Sequence, residues 1–414
     1  TLRALKSSEI ASETVGINVY RYKVLAFVVS SACAGIGGVF FAHQTGFINS
    51  DTFVFSFSVS LLAAVLLGGS GTLYGPLVGS IILNLIPTVF AQFHEQELYV
   101  YGGIILAAII FLPHGIVGSL GRMNALRGWR RGPSFIPPDP CGLGLNQKTG
   151  AGPVLQTRGL VKRFGGIRAL NGVDVAIAAA TVHGMIGPNG SGKSTFINIV
   201  TGVYLPDAGE VLLGDRPAPR RGPAAMARRG VTRTFQSIRL FGDLSVLDNV
   251  MAGFHVHLKR GFWAHLLQTR GAVAEESAYS RKAMALLEFV GIAERAHDLG
   301  GNLPYGQQRL LEIARALAVQ PRLLLLDEPA AGVNPAELQH LVSLIRSIRE
   351  AGVTLVVVEH QLDLIMKISD VITVLDFGKK IAEGSAAQIR DDPKVIEAYL
   401  GAPAAPASAL NARA

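Results

Sequence analysis

"TVHGMIGPNGSGKSTFINIV", residues 181–200, passes from an apolar run through a glycine-rich turn into a second run with apolar residues at helical spacing. It reads as a strand, a turn and a helix, so the turn sits where backbone N–H groups converge at a helix N-terminus. Gly187, Gly192, Lys193 and Ser194 satisfy the spacing GxxxxGK[ST]. In that pattern the glycines let the backbone wrap phosphate, Lys193 brings a point charge to the β and γ positions, and the Ser194 hydroxyl suits Mg²⁺. The strand-to-helix context separates this motif from an incidental glycine-rich turn, and it makes Gly187, Pro188, Asn189, Gly190, Ser191, Gly192, Lys193, Ser194 and Thr195 candidate nucleotide-binding residues. The fold class expected for this half is α/β, built on a phosphate-binding loop.

Downstream, "PRLLLLDEP", residues 321–329, reads as a buried strand ending in Asp327, from which a carboxylate reaches Mg²⁺. Glu328 follows directly, and the two carboxylates take different work: Asp327 with the metal, Glu328 as general base for the attacking water. An acidic pair after leucines alone suits a helix cap equally well; the phosphate loop is what selects the chemical reading. "TLVVVEHQ", residues 354–361, is a third strand ending near His360. His360 lies 33 positions beyond Asp327 (360 − 327), after a helical pattern at 335–350, which expects a parallel strand whose end faces the γ-phosphate. A lone histidine there is otherwise a hydrogen-bonded surface residue. Gln236 in "TRTFQS" reads by itself as polar surface. "NLPYGQQRLLEIARAL", residues 302–317, reads as a loop running into a helix.

The other half of the chain is built for a different solvent. Between residues 24 and 121 there is no Lys or Arg, and the acidic residues are Asp51, Glu95 and Glu97. Segments 24–42, 53–67, 73–90 and 98–112 are apolar, so about four transmembrane helices are expected, the second and fourth short unless extended. Ser30, Ala34 and Gly38 put small residues on one face of the first segment, which permits close helix approach. Residues 66–76, "LLGGSGTLYGP", break the run as a turn or interrupted helix. Arg3, Lys6, Arg21 and Lys23 precede the apolar half, and Arg122, Arg127, Arg130 and Arg131 follow it, marking a cytoplasmic flank in a lipid bilayer. The formal charge of +8 is carried partly by these flanks, and no aromatic-interleaved basic patch accompanies it, so nucleic acid is not an expected partner. Cys33 and Cys141 are poorly placed to pair, which fits a reducing compartment. Composition divides the 414 residues into a transmembrane domain at 1–121, a Gly/Pro-rich linker at 122–153, a nucleotide-binding domain at 154–402 and a disordered tail at 403–414.

In order, GPNGSGKST, Gln236, "LPYGQQR", LLLLDEP and His360 resemble the ATP-binding cassette of ABC transporters, over about residues 154–401. The resemblance implies an α/β cassette with a helical subdomain, which binds ATP with Mg²⁺ and hydrolyses it. It implies that Phe164 in "VKRFGG" stacks on adenine, that Gln236 senses the γ-phosphate and metal, and that His360 contacts the γ-phosphate. The catalytic set is then Glu328, His360, Gln236 and Lys193, and the metal set Ser194, Gln236 and Asp327. In that family two cassettes pack head to tail, so Leu303, Pro304, Tyr305, Gly306 and Gln307 touch ATP held by the other cassette. Pro304 stands where the common signature has serine and Tyr305 where it has glycine. The fixed φ of Pro304 suits the first turn of the following helix. Asn334 replaces a frequent aspartate. "LPYGQQRLLEIARAL" with "EPAAGVNP" is most similar to the ATPase subunit of branched-chain amino-acid importers. "GFINSDTFVFSFSVSLLAAVLLGGSGTLYGPLVGS" and "FLPHGIVG" resemble the C-terminal part of a permease subunit of the same importers. Implied partners are a second cassette, identical or different, a second permease subunit and an extracytoplasmic solute-binding protein. The implied location is the inner (plasma) membrane, multi-pass, with the cassette cytoplasmic. Residues 9–16 are expected either to lie as an amphipathic helix on a surface or, by the resemblance, to form a coupling helix resting near Gln236. The alternatives are import of another small polar solute such as urea or short amides, a P-loop kinase, and a cassette ATPase with no transport role.

Overall fold

A computed structural model describes residues 2–47, 55–69, 74–89, 103, 106, 110, 115–116, 145, 152–266 and 268–400. The chain divides into two compact units, Val24–Phe135 and a unit combining Thr1–Lys23 with Ile136–Ala414. Helices in chain order are α1 (Leu2–Ser7), α2 (Glu9–Thr14), α3 (Val19–Thr45), α4 (Phe55–Gly68), α5 (Gly75–Val89), α6 (Lys193–Val200), α7 (Pro223–Ala227), α8 (Val246–Gly253), α9 (Phe262–Leu266), α10 (Arg270–Phe289), α11 (Tyr305–Ala318), α12 (Pro335–Glu350), α13 (Leu362–Ile368), α14 (Ala386–Arg390) and α15 (Pro393–Leu400). Strands are β1 (Leu155–Phe164), β2 (Ile167–Ile177), β3 (Val182–Ile186), β4 (Ala208–Leu213), β5 (Arg216–Pro217), β6 (Val231–Arg233), β7 (Leu323–Asp327), β8 (Thr354–Val358), β9 (Val371–Asp376) and β10 (Lys379–Gly384).

In the apolar unit, α3 has 27 residues, long and apolar enough to cross a membrane, and at about 1.5 Å per residue it spans roughly 40 Å. Helices α4 and α5 have 14 and 15 residues, shorter than the roughly 20 a span needs. They pack on each other through Ala63, Ala64 and Leu83. The approach is close: a Cβ on Gly79 would lie 1.9 Å from the Ala64 carbonyl oxygen. The expected small-residue face of the first segment meets nothing comparable, since a Cβ on Gly38 finds no atom within 4 Å among the described residues. The interruption expected at 66–76 falls between the end of α4 and the start of α5. The fourth expected segment, 98–112, lies outside the described residues except for 103, 106 and 110, which are helical.

The larger unit is organised by a six-stranded sheet in the order β10-β9-β3-β8-β7-β6. Pairings β9–β3, β3–β8, β8–β7 and β7–β6 are parallel, and β10 closes one edge antiparallel. The leucines of β7 show why the sheet is central. Leu324 and Leu326 enter one core cluster and Leu323 and Leu325 the other, so the alternation of side chains buries both faces. A four-stranded antiparallel sheet, β2-β1-β4-β5, lies beside it.

Within the expected 1–121 domain, Thr1–Lys23 groups by contacts with the cassette unit. Ala4, Leu5, Ala11, Val15, Ile17 and Val19 form one buried cluster with Ala227, Phe241 and Val319 of the cassette. Full burial of a Leu, Val or Ile is worth about 1.5–3 kcal/mol relative to exposure, which is why these residues leave the apolar unit for this seat. Arg228 Nη2 donates to the Gly16 carbonyl oxygen at 3.2 Å, and the Tyr22 hydroxyl lies 3.4 Å from His255 Nε2. Burial lowers the His255 pKa to about 4, so its ring is neutral in the seat at ordinary pH. Leu145, within the expected linker, is 1% exposed and belongs to the larger core cluster. Gly16 has φ +83, and a Cβ there would fall 2.1 Å from Val256 Cγ1. A Gly16→Ala variant is expected to loosen the docked segment by about 1–3 kcal/mol. Hydrogen exchange over residues 2–14 should then speed up by about fivefold or more, and unchanged protection would contradict the seat.

Candidate nucleotide site

The parallel strands deliver the site to one edge. Asp327 of β7 registers with Val358 of β8, and Val358 registers with Met185 of β3. The chain leaving β3 becomes the phosphate loop, β7 ends at Asp327 with Glu328 next, and β8 is followed by Glu359 and His360. Carboxyl ends of parallel strands are where such sheets bind ligands.

The loop needs its glycines for reasons of space as well as dihedral angle. Gly187 has φ +150, and a Cβ on it would lie 2.1 Å from the Leu375 carbonyl oxygen. Gly192, φ +105, caps α6, and a Cβ there would lie 2.5 Å from the Ala169 carbonyl oxygen. Lys193 Nζ donates to the carbonyl oxygens of Gly187 at 2.6 Å and Pro188 at 2.8 Å, folding the side chain back over the loop. Burial lowers the Lys193 pKa while Glu328 and Asp327 oppose the shift, so its charge faces both carboxylates. Ser191 is buried, Ser194 is exposed and Thr195 is half-buried on the first turn of α6; Asn189 and Gly190 lie at the turn.

Gln236 and Glu328, 92 positions apart, are in contact: Gln236 Nε2 donates to Glu328 Oε2 at 2.9 Å. Glu328 takes φ +46, a left-handed conformation that a non-glycine residue adopts at a cost. Its N–H donates to the Val358 carbonyl oxygen at 2.8 Å, and its own carbonyl oxygen accepts from Arg309 Nη2 at 3.4 Å. His360 Nδ1 is 3.9 Å from Glu328 Oε2 and 3.6 Å from Glu359 Oε2. Glu359 is fully buried and accepts from the Ala330 N–H at 2.8 Å. Burial pushes its pKa up, opposed by that hydrogen bond. Burial also raises the pKa of Asp327, with Arg233 pulling the other way. A divalent cation would relieve that cost, and the oxygen donors of Ser194, Gln236 and Asp327 suit a hard ion that keeps positions for water and phosphate. Phe164, 43% exposed, packs edge-on to Tyr204 at 5.3 Å with Lys162 Nζ 5.5 Å from its ring centre, leaving an aromatic surface open.

In the 303–307 stretch, Tyr305 and Gly306 lie against Gly332 and Glu337. The Gln308 N–H donates to the Pro304 carbonyl oxygen and Gln308 Nε2 to that of Leu303. Pro304 is the N-cap of α11, with φ −55 and ψ 151, and not a first-turn residue as expected. Its ring fixes φ, but the extended ψ places it outside the helix, which begins at Tyr305. Tyr305 packs by Gly332, where a Cβ would lie 2.9 Å from the Tyr305 ring. A Cβ on Gly306 would lie 2.5 Å from the Glu337 carboxyl carbon. Asn334 caps α12 by accepting from the Glu337 N–H at 2.9 Å, in a reciprocal capping box.

Sequence reasoning missed Arg309, Glu312 and Glu359. Arg309 Nη1 donates to the Phe235 carbonyl oxygen at 2.5 Å and to Glu312 Oε2 at 2.9 Å, and Nη2 donates to the Gln236 carbonyl oxygen at 2.9 Å. One guanidinium therefore holds the backbone of both Gln236 and Glu328. The signal available was charge at helical spacing in an otherwise apolar stretch. The docked N-terminal segment rests on Ala227, Phe241, Val256 and Val319, and Phe241 lies five residues beyond Gln236 (241 − 236).

Residues 170–331 match the family model for the ABC transporter, residues 1–112 that for the branched-chain amino acid transport system permease component, and residues 379–405 that for the branched-chain amino acid ATP-binding cassette transporter. The chain is 44% identical over 250 residues to the high-affinity branched-chain amino acid transport ATP-binding protein BraF of Pseudomonas aeruginosa, covering 60% of this chain and 98% of the relative. It is 42% identical over the same length, with the same coverage, to LivG of Escherichia coli. A crystal structure of a nucleotide-free ATP-binding cassette from an ABC transporter superposes with a TM-score of 0.53 at 33% identity, over 60% of this chain and all of that one. Another cassette, in its ADP conformation, gives 0.53 at 33% identity over 60% of this chain and 99% of that one.

If Glu328 is the base, Glu328→Gln should abolish turnover by about 10³-fold or more while nucleotide still binds and the ATP-bound pair accumulates. Turnover assays with size-exclusion chromatography check this, and normal turnover would remove the assignment. Gly306→Asp brings a side chain and a like charge onto Glu337, so ATPase rate is expected to fall at least tenfold; an unchanged rate would remove the loop from the chemistry.

Proposed function

The chain belongs to the ABC transporter family, and we propose that it is the ATP-hydrolysing, membrane-embedded component of an importer for branched-chain amino acids. The observation that carries the reading is the joining of two things in one chain: a cassette whose Gln236–Glu328 contact sits at the strand ends, and an N-terminal segment seated on that cassette. A permease match at residues 1–112 and relatives named for branched-chain amino-acid transport support the solute class.

In this reading two cassettes pair head to tail. Gly187, Pro188, Asn189, Gly190, Ser191, Gly192, Lys193, Ser194 and Thr195 of one hold the phosphates of ATP, and Phe164 offers its open face to adenine. Leu303, Pro304, Tyr305, Gly306 and Gln307 of the other close over the γ-phosphate, with the N-terminus of α11 facing the anion. Ser194, Gln236 and Asp327 would hold Mg²⁺, whose charge would offset that of the phosphates. Glu328 Oε2 takes the proton of the attacking water, Gln236 holds that carboxylate through its amide, and His360 approaches the γ-phosphate from the neighbouring strand end. The closed pair is favoured by ATP and released by hydrolysis, and this difference in nucleotide affinity drives the attached helices between two states. The α1–α2 segment is the mechanical link. The chain sits in the inner (plasma) membrane as a multi-pass protein with the cassette cytoplasmic, beside a second permease subunit. An extracytoplasmic binding protein delivers the solute.

Uptake into proteoliposomes carrying the assembled complex tests this. With candidate binding proteins and ATP inside the cassette-facing compartment, labelled leucine, isoleucine or valine should accumulate, and Glu328→Gln should stop it. Accumulation of urea or short amides instead would reassign the solute, and ATPase activity with no uptake of any of these would remove the transport reading.

A further inference from the structure

On α11, Arg309, Glu312 and Arg315 follow at intervals of three and are 1%, 1% and 2% exposed. Charges so buried are costly unless paired, and an apolar row of the same volume packs at least as well, so stability alone does not account for them. Their pairing is also uneven. Arg309 Nη1 is 2.9 Å from Glu312 Oε2 and Arg315 Nη2 is 3.9 Å from Glu312 Oε1, while Arg309 Nε and Arg315 Nη1 have no hydrogen-bond partner among the described residues.

What the row does touch lies at two places. At its upper end Arg309 grips the carbonyl oxygens of Phe235, Gln236 and Glu328. In the middle, Glu312 Oε1 accepts from the N–H groups of Phe235 and Arg239, each at 3.3 Å. At its lower end the Arg315 guanidinium lies over the Phe241 ring, 4.9 Å from the centroid. Phe241 is 0% exposed and belongs to the cluster that receives Ala4, Leu5, Ala11, Val15 and Ile17. Residues 235–241 are thus fastened along one helix, with the Gln236 backbone at one end and the floor of the α1–α2 seat at the other. The two ends of the row are about 9 Å apart, six residues at 1.5 Å each.

We propose that Arg309, Glu312 and Arg315 are positioning residues that tie the α1–α2 seat to the Gln236–Glu328 pair, so that movement of the docked segment sets the orientation of the Glu328 carboxylate. A shift of Phe241 with the segment carries Arg315, and through Glu312 and Arg309 it displaces the backbone on which Gln236 and Glu328 stand. None of the three touches phosphate. The inference rests on Glu328 being the base and on α1–α2 being the link to the permease.

The test uses the full complex in proteoliposomes with Glu312→Gln, Arg315→Met and the double variant, beside Glu328→Gln. Arg315→Met keeps an unbranched chain against Phe241 and removes the cation; it should leave ATPase within twofold of the unaltered protein while solute moved per ATP falls at least fivefold. Glu312→Gln should lower kcat at least tenfold with the KM for ATP within twofold, because the phosphate loop is untouched. The double variant, which restores the net charge of the row and so keeps the test open if Glu312→Gln does not assemble, should transport no worse per ATP than Arg315→Met. Unaltered transport stoichiometry in Arg315→Met, additive losses in the double variant, or losses that merely track a fall in thermal stability would each overturn the proposal. If Glu328→Gln is inactive while all three row variants behave as the unaltered protein, only this inference fails; if Glu328→Gln also turns over, the base reading beneath it fails.

Discussion

The in-register parallel pairing of β7, β8 and β3 is the constraint from which the site follows. Asp327, Val358 and Met185 stand in one row across three strands. The next residues along each strand therefore emerge together: the acidic pair from β7, Glu359 and His360 from β8, and the phosphate loop from β3. That register is held by burial on both sheet faces, because a slip of one residue would exchange the leucines of β7 between two cores. The chemistry is in this sense a by-product of apolar packing. The acidic pair, Glu359 with His360, and the phosphate loop each begin at a strand end of this one sheet.

A second constraint is the cost of buried charge. Lys193, Asp327, Glu359 and Glu312 are all pushed toward their neutral forms by burial, and each is opposed by a neighbouring opposite charge or hydrogen bond. Arg315 is lowered to about 10 by the same burial, with Glu312 opposing. At Lys193 and Asp327 such an arrangement leaves charge that a phosphate and a metal would satisfy, whereas Glu312 and Arg315 are offset by each other. The seat of α1–α2 is built on the opposite principle: small and branched apolar side chains, one arginine to a carbonyl, and a histidine kept neutral. Its strength comes from area removed from water.

Much of this was legible in the sequence because it is local. The phosphate loop is a contiguous motif, the strand of β7 is a run of four leucines, and the helix at 335–350 has its own Asn-Pro-x-Glu capping signal. Segments 24–42, 53–67 and 73–90 overlap α3, α4 and α5 because apolar runs have sharp ends. What was not legible depends on which distant surfaces meet. Arg309 and Glu312 look like the polar face of an amphipathic helix, and only the packing of residues 235–239 against α11 turns that face inward. Residues 9–16 read by themselves as an amphipathic surface segment, placed near Gln236 only by the resemblance, and Phe241 gives no hint that it is the floor beneath them. Pro304 caps the helix one position outside its first turn, a difference its fixed φ does not reveal because that φ suits both places and only ψ distinguishes them.

On the proposed function, a nucleotide held between two cassettes is read by Glu328 and felt at the N-terminal seat. The most direct measurement is a structure of the assembled complex with ATP bound to the Glu328→Gln variant in a lipid environment. The γ-phosphate should lie between Lys193 of one cassette and the 303–307 loop of its partner. Residue 328 should lie within about 3.5 Å of a water in line with that phosphate, and residues 2–17 should remain on Phe241. A nucleotide contacted by one cassette only, or residues 2–17 lying away from Phe241, would contradict it.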